Sequence, residues 1–343
     1  MGAAKIFELP ASARERVVAD RGANGPVYDA QHAVTDFGGA PSALPQTSRV
    51  ESAVAAASRY CQDDRYASVR VEFLAGEVWT IRRFITGPDY PGRAPTIDAI
   101  NELLAEFIRL SEALRRCCLV SASYGTAEAN RSVIRALRML GHRPADIGGY
   151  AYWCGLRGFC ASLCFYWALA GTLVRNDFTT LGAFMNAPIR TGVGECAAAA
   201  ALPLLSLGDI DWKVLRGFEP YQTPVSDFVF RLFASEVAHA GVHQGAAERL
   251  FDDLELLISL QFSHLRLKQL AASRSPLWFW TPLGRYVTRW RTDRIADRIA
   301  GYAALPENHG LLRAGLLGGT PTLAAQAVEA MLRAVRGAQP GLR

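Results

Sequence analysis

The sequence predicts an α+β chain that is predominantly α-helical, with a small N-terminal region carrying a β-hairpin packed on a large helical domain. Three observations lead there. Residues 158–174, GFCASLCFYWALAGTLV, carry no charge, which suits a helix buried on all sides. From Thr96 onward, apolar residues recur at helical spacing behind hydroxyl caps. Residues 68–85 instead alternate with period two.

In order, residues 1–50 are rich in Gly, Pro and Ser clusters, as in GANGPVYDA and GGAPSALPQTS, which punctuate loops. Residues 48–60 read as a short helix. In SVRVEFLAGEVWTIRRFI, Val69, Val71 and Phe73 alternate with Arg70 and Glu72, and Trp79 and Ile81 alternate with Thr80 and Arg82 across Gly76. This predicts the hairpin, with one buried face. TGPDYPGRAPT, residues 86–96, is a connector. It divides an N-terminal region, 1–90, from a helical domain, 96–343.

Thr96 caps a helix bearing Ile100, Leu103, Leu104, Phe107 and Leu114, and Thr126 opens the next, which Gly141 ends. Thr223-Pro224, Thr281-Pro282 and Thr320-Pro321 repeat one start signal, a hydroxyl cap with proline at the first helical position. Leu250, Leu254, Leu257, Ile258 and Leu265 form a buried stripe.

Segment 150–208 has two readings. As core, it centres the helical domain. As a membrane hairpin, residues 158–174 would span roughly 26 Å against about 30 Å of hydrocarbon. That reading must also place Arg157 and Glu195 in lipid, where charge is costly. Its aromatics do not gather at the ends as an interfacial belt. The core reading is favoured.

Composition bounds the function. The chain has 343 residues, half hydrophobic and a fifth charged, with a net charge of +5 spread along its length. This fits a folded globular protein and gives no strong nucleic-acid signal. Nearly all the positive charge is arginine, with lysine only at positions 5, 213 and 268. The first twenty residues lack the apolar core of a secretory signal. Together with the odd cysteine count (Cys61, Cys117, Cys118, Cys154, Cys160, Cys164, Cys196), this predicts reduced thiols and a cytoplasmic location. Inner-membrane association is the alternative. Cys154, Cys160 and Cys164 match no zinc or cluster spacing.

Two stretches carry candidate sites. In EVAHAGVH, Glu236, His239 and His243 stand three and four apart, which stacks them on one helical face. Imidazole with carboxylate suits a divalent metal, zinc or iron. Glu195, the only acid in a long apolar stretch, is the candidate fourth ligand. In residues 275–299, Trp278 and Trp280 precede Arg285, Arg289 and Arg298, a candidate interaction surface on a solvated arginine face. SASYGTAEAN (121–130) and RTGVGE (190–195) resemble anion-binding turns but lack a full phosphate-loop pattern. No nucleophile elbow, zincin, Walker or kinase motif is present.

Three function classes follow. The first is a non-enzymatic cytosolic binding or assembly protein with a protein partner. The second is a helical metalloprotein or metalloenzyme using Glu236, His239 and His243. The third is a membrane-associated protein anchored by 150–208.

Overall fold

The computed structural model describes residues 59–88, 90–92, 94–142, 150–191, 194–203, 214–218, 222–239, 244–272, 281–289 and 292–338, together with residue 55. The chain is predominantly helical, as expected, with one small antiparallel hairpin among the described residues. The strands are not where the alternation placed them.

Residues 68–85 lie within helix α1, Ala67–Thr86. Its buried side chains, Arg70, Leu74, Glu77, Val78, Ile81 and Ile85, recur at helical spacing and form a second pattern latent in the same letters. The residues read as a strand's inward face do not share a face. Trp79 is 60 % exposed while Ile81 is fully buried. Gly76, taken for a turn, sits mid-helix on the solvent side with open space where a Cβ would go. Its helical cost of about 1 kcal/mol is outweighed by burial of the Leu74–Ile85 stripe.

Helix α2, Ile97–Tyr124, begins at Thr96, whose Oγ1 accepts from the Ala99 N–H at 3.2 Å. Thr126 caps α3, Ala127–Gly141, in the same way. A short α4, Ala151–Leu156, leads into α5, Phe159–Arg175. Every side chain of α5 from Phe159 to Leu173 is buried. Helix α2 lies along α5 at close range. A Cβ at Gly171 would stand 2.6 Å from the Leu119 carbonyl oxygen and 2.7 Å from the Ala122 Cβ, so only glycine permits this approach.

The stretch Tyr152–Arg175 is long and apolar enough to cross a membrane, and 89 % of its most apolar window is buried inside the protein. The expected partner span is not a second long helix. Asp177 caps a short α6, Phe178–Met185. Pro188 then opens β1, Pro188–Thr191, which pairs with β2, Gly194–Ala197, in the register Ile189↔Cys196 and Arg190↔Glu195. A single turn, α7, Ala198–Ala201, follows. Proline and glycine divide a segment that hydropathy alone reads as continuous.

The C-terminal half adds α8, Pro224–His239, and α9, Gln244–Ala272, then α10, Tyr286–Arg289, α11, Thr292–Gly301, α12, Gly310–Arg313, and α13, Pro321–Ala338. Thr223-Pro224 and Thr320-Pro321 start helices as expected. Thr281-Pro282 does not. The Thr281 Oγ1 instead donates to the Ser259 carbonyl at 3.0 Å, and the helix begins only at Tyr286. Helix α5 is enclosed by α2, α3, α6 and α9, while α8 and α13 pack on α9, and α8 also reaches α5 through Phe233 against Trp167. Leu74, Val78, Ile81 and Ile85 of α1 join the same hydrophobic cluster as α2 and α5.

Candidate functional site

The expected Glu236 cluster lies partly outside the described residues. Glu236 is buried near the end of α8, but its carboxylate is taken by Arg115 of α2 in an ion pair with side chains 0 % and 5 % exposed. Arg115 also donates to the Ile108 carbonyl at 2.8 Å and to Ser111 Oγ. Its guanidinium stands over the Trp167 ring, 5.3 Å from the centroid. Buried charge requires such partners. His239 ends α8, and its side chain lies outside the described residues, as does His243. Glu195 is exposed on β2, opposite Arg190. Its place among apolar letters had suggested burial, but it stands near the exposed start of β2. Among the described residues, no three His, Cys, Asp or Glu side chains converge as a metal site would need.

The arginine stretch is also arranged differently from the expected solvated face. Trp278 and Trp280 lie outside the described residues, as does the side chain of Arg289. Arg285 is 5 % exposed. Its guanidinium stacks on Phe230 at 3.6 Å, with Asp227 Oδ1 at 3.7 Å and Asp252 Oδ1 at 3.6 Å. Arg298 is paired with Asp253. Among the described residues, these ion-pair partners come from α8 and α9.

These contacts belong to a buried polar constellation that the sequence reading missed. Helix α9 presents Asp252, Glu255, Ser259 and Ser263 at successive steps of three and four, all buried. Ser226 of α8 lies 2.7 Å from both Glu255 carboxyl oxygens. The Arg285 N–H donates to Ser226 Oγ at 2.9 Å and to Glu255 Oε2 at 3.0 Å. The Tyr286 hydroxyl donates to Ser259 Oγ at 3.0 Å. Burial pushes the Glu255 carboxyl up to about 8, aided by neighbouring Asp252 and opposed by Ser226 and Arg285. Burial likewise raises Tyr286 and Tyr302. One signal was available. Glu255 has no basic residue three or four positions away in either direction, so its polar partners had to come from other elements.

The thiols cluster in the core. Cys117, Cys118, Cys160 and Cys164 are buried between α2 and α5. Burial raises Cys117 and Cys160 well above the ordinary thiol value, and for Cys118 a hydrogen bond with Cys164 leads that effect. Such thiols act as small apolar side chains. The turn at 121–130 closes α2 with the Gly125 N–H on the Ser121 carbonyl at 2.7 Å, and the described residues of RTGVGE pair across β1 and β2 as Arg190↔Glu195 and Thr191↔Gly194.

On the outside, α1 and α3 run side by side in the same direction. Thr126 Oγ1 donates to Asp64 just before α1, Arg70 Nε to Ser132 Oγ at 3.4 Å, and Arg82 Nη1 to the Met139 carbonyl at 2.6 Å. Near their C-terminal ends, Trp79 and Met139 are exposed at 60 % and 41 %. Arg83, Arg135 and Arg138 are exposed beside them. A separate open cleft of about 520 Å³ lies between residues 84–92 and α2, with Phe84 and Tyr90 in its wall and Glu102 and Glu106 at its edge. Glu106 is already paired with Arg109.

Comparison with family models, with curated proteins and with solved structures finds no match.

Proposed function

We propose that this chain is a non-enzymatic binding protein that presents the face formed by α1 and α3 to a partner. One observation carries the reading: Trp79 stands 60 % exposed among arginines. A large apolar side chain held in water beside charge is a feature of recognition surfaces, where tryptophan and arginine are enriched. The interior supports a structural role for the groups that chemistry would otherwise use. Glu255, Tyr286 and the α2–α5 thiols are buried among their own neighbours. Reduced thiols in that core agree with a cytosolic setting.

The test is photo-crosslinking in living cells, with a photoreactive phenylalanine at position 79 or, as a control, at exposed position 329 of α13. The expected result is an adduct from position 79 and none from position 329. No adduct of any class from position 79 overturns the reading.

A further inference from the structure

We infer that the partner of the α1–α3 face is the surface of an anionic lipid bilayer. The inference rests on the reading of that face as a docking surface, and it names the occupant. Along the two parallel helices, charge is segregated. The acids Glu72 and Glu128 lie toward the N-terminal ends, where Glu128 is spent on Arg131. The C-terminal ends carry Arg82, Arg83, Arg135 and Arg138. Among the described residues, no carboxylate lies within ion-pair distance of these four arginines.

Part of this charge has a local cause. Cations near a helix C-terminus are stabilised by the helix dipole, which accounts for Arg83 and Arg138 in the last turns. It does not account for the apolar side chains set among them. Arg83 lies over the Trp79 ring, 5.2 Å from its centroid, and Met139 is exposed where Arg82 crosses from α1 to α3.

A bilayer interface supplies both things this surface asks for, at one depth. Its phosphates and carboxylates meet the guanidiniums, and the headgroup–acyl boundary takes the indole and thioether. A nucleic acid fits less well. Single strands are held by several aromatic platforms along a charged groove, whereas here one ring, already covered by Arg83, stands on a ridge of two helices. The binding is peripheral and owes nothing to α5, which stays in the core.

The experiment floats the full chain with vesicles of phosphatidylcholine alone, or with about a third phosphatidylserine. Binding is expected only to the anionic vesicles and is expected to fall with added salt. Replacing Arg83, Arg135 and Arg138 with glutamine together is expected to lower partitioning by roughly fivefold per arginine. Trp79→Ser is expected to lower it severalfold. Circular dichroism and melting of each variant check that the fold is kept. The same charge loss from exposed Arg313, Arg333 and Arg336 is expected to leave binding intact.

Absence of binding to the anionic vesicles overturns the inference. So does binding undiminished in the folded triple variant, or lost equally in the control triple. A protein or nucleic-acid adduct from position 79, with no vesicle binding, overturns the lipid assignment and leaves the docking face standing. No adduct at all removes both.

Discussion

Helices α5 and α9 are both enclosed by protein over three turns or more, and they are built from opposite materials. Between Phe159 and Leu173, α5 buries aliphatic, aromatic and small side chains. Between Phe251 and Ser263, every side chain of α9 is buried too, yet Asp252, Asp253, Glu255, Ser259, Gln261 and Ser263 are among them. Helix α5 asks its neighbours only for complementary shape. Helix α9 asks them for particular atoms: Ser226, Arg285 and Arg298 on one side, and the Asn186 side chain and the Leu317 N–H for Gln261. The first arrangement supplies the free energy of burial. The second fixes which surfaces meet, because a wrong docking would strand buried polar groups at about 1–3 kcal/mol each.

The contrast can be broken most severely at α5. Ala168 is fully buried, and Ala168→Arg would place an unpaired charge where α5 offers no partner. The expected cost is several kcal/mol, on the order of the whole stability. Circular dichroism should find no cooperatively folded protein, and a normal melting curve would show that α5 is not enclosed.

Next is the ion pair where α5 meets polar chemistry, through Trp167 and Arg115. Arg115→Met alone leaves Glu236 charged and buried, which should cost about 3–5 kcal/mol in urea unfolding. Adding Glu236→Leu should recover most of that loss. Equal losses in the single and double variants would argue that the pair is not the source.

An effect of similar size, spread over several pH units, distinguishes α9. The unfolded Glu255 releases its proton near 4.5, while the folded carboxyl holds it to about 8. Between those values the folded state binds more protons. The stability contributed by this residue is therefore fully present below pH 4.5 and is lost as pH rises to 8, by up to about 1.4 kcal/mol per pH unit. Glu255→Gln should remove that slope relative to the parent chain across pH 5–8. Parallel pH profiles would place the proton elsewhere.

The smallest effect belongs to the solvent side of the arginine stretch. Arg294 is exposed on α11, and Arg294→Gln should change stability by no more than about 0.5 kcal/mol. A larger loss would extend the buried network beyond Arg298.

These two helices also explain what could be read from the letters. An uncharged run announces its burial, so α5 was legible as the centre of the fold. The caps at Thr96, Thr126 and Thr320 were legible because capping is local chemistry. Helix α9 was legible on its leucine side alone. Its polar side looks like a solvated face until α8 and the chain after Thr281 cover it, and nothing within α9 records that. Strand 68–85 failed for a related reason: its letters satisfy both periods, and packing against α2 and α3 decided between them. The Arg115 partner of Glu236 stands 121 positions upstream of it, beyond any local pattern. The α1–α3 face escaped notice because its arginines come from two helices separated by α2.

The position of α5 in the chain has a consequence for synthesis. Helices α1, α2 and α3 are complete before it emerges, and the apolar stripe of α2 that ends on Gly171 has nothing to close against until then. At about 5–20 residues per second, the ribosome takes a few seconds to extend the chain from Gly141 to Arg175. Throughout that interval the nascent chain carries an open apolar seam. The seam should shut abruptly when α5 clears the exit tunnel.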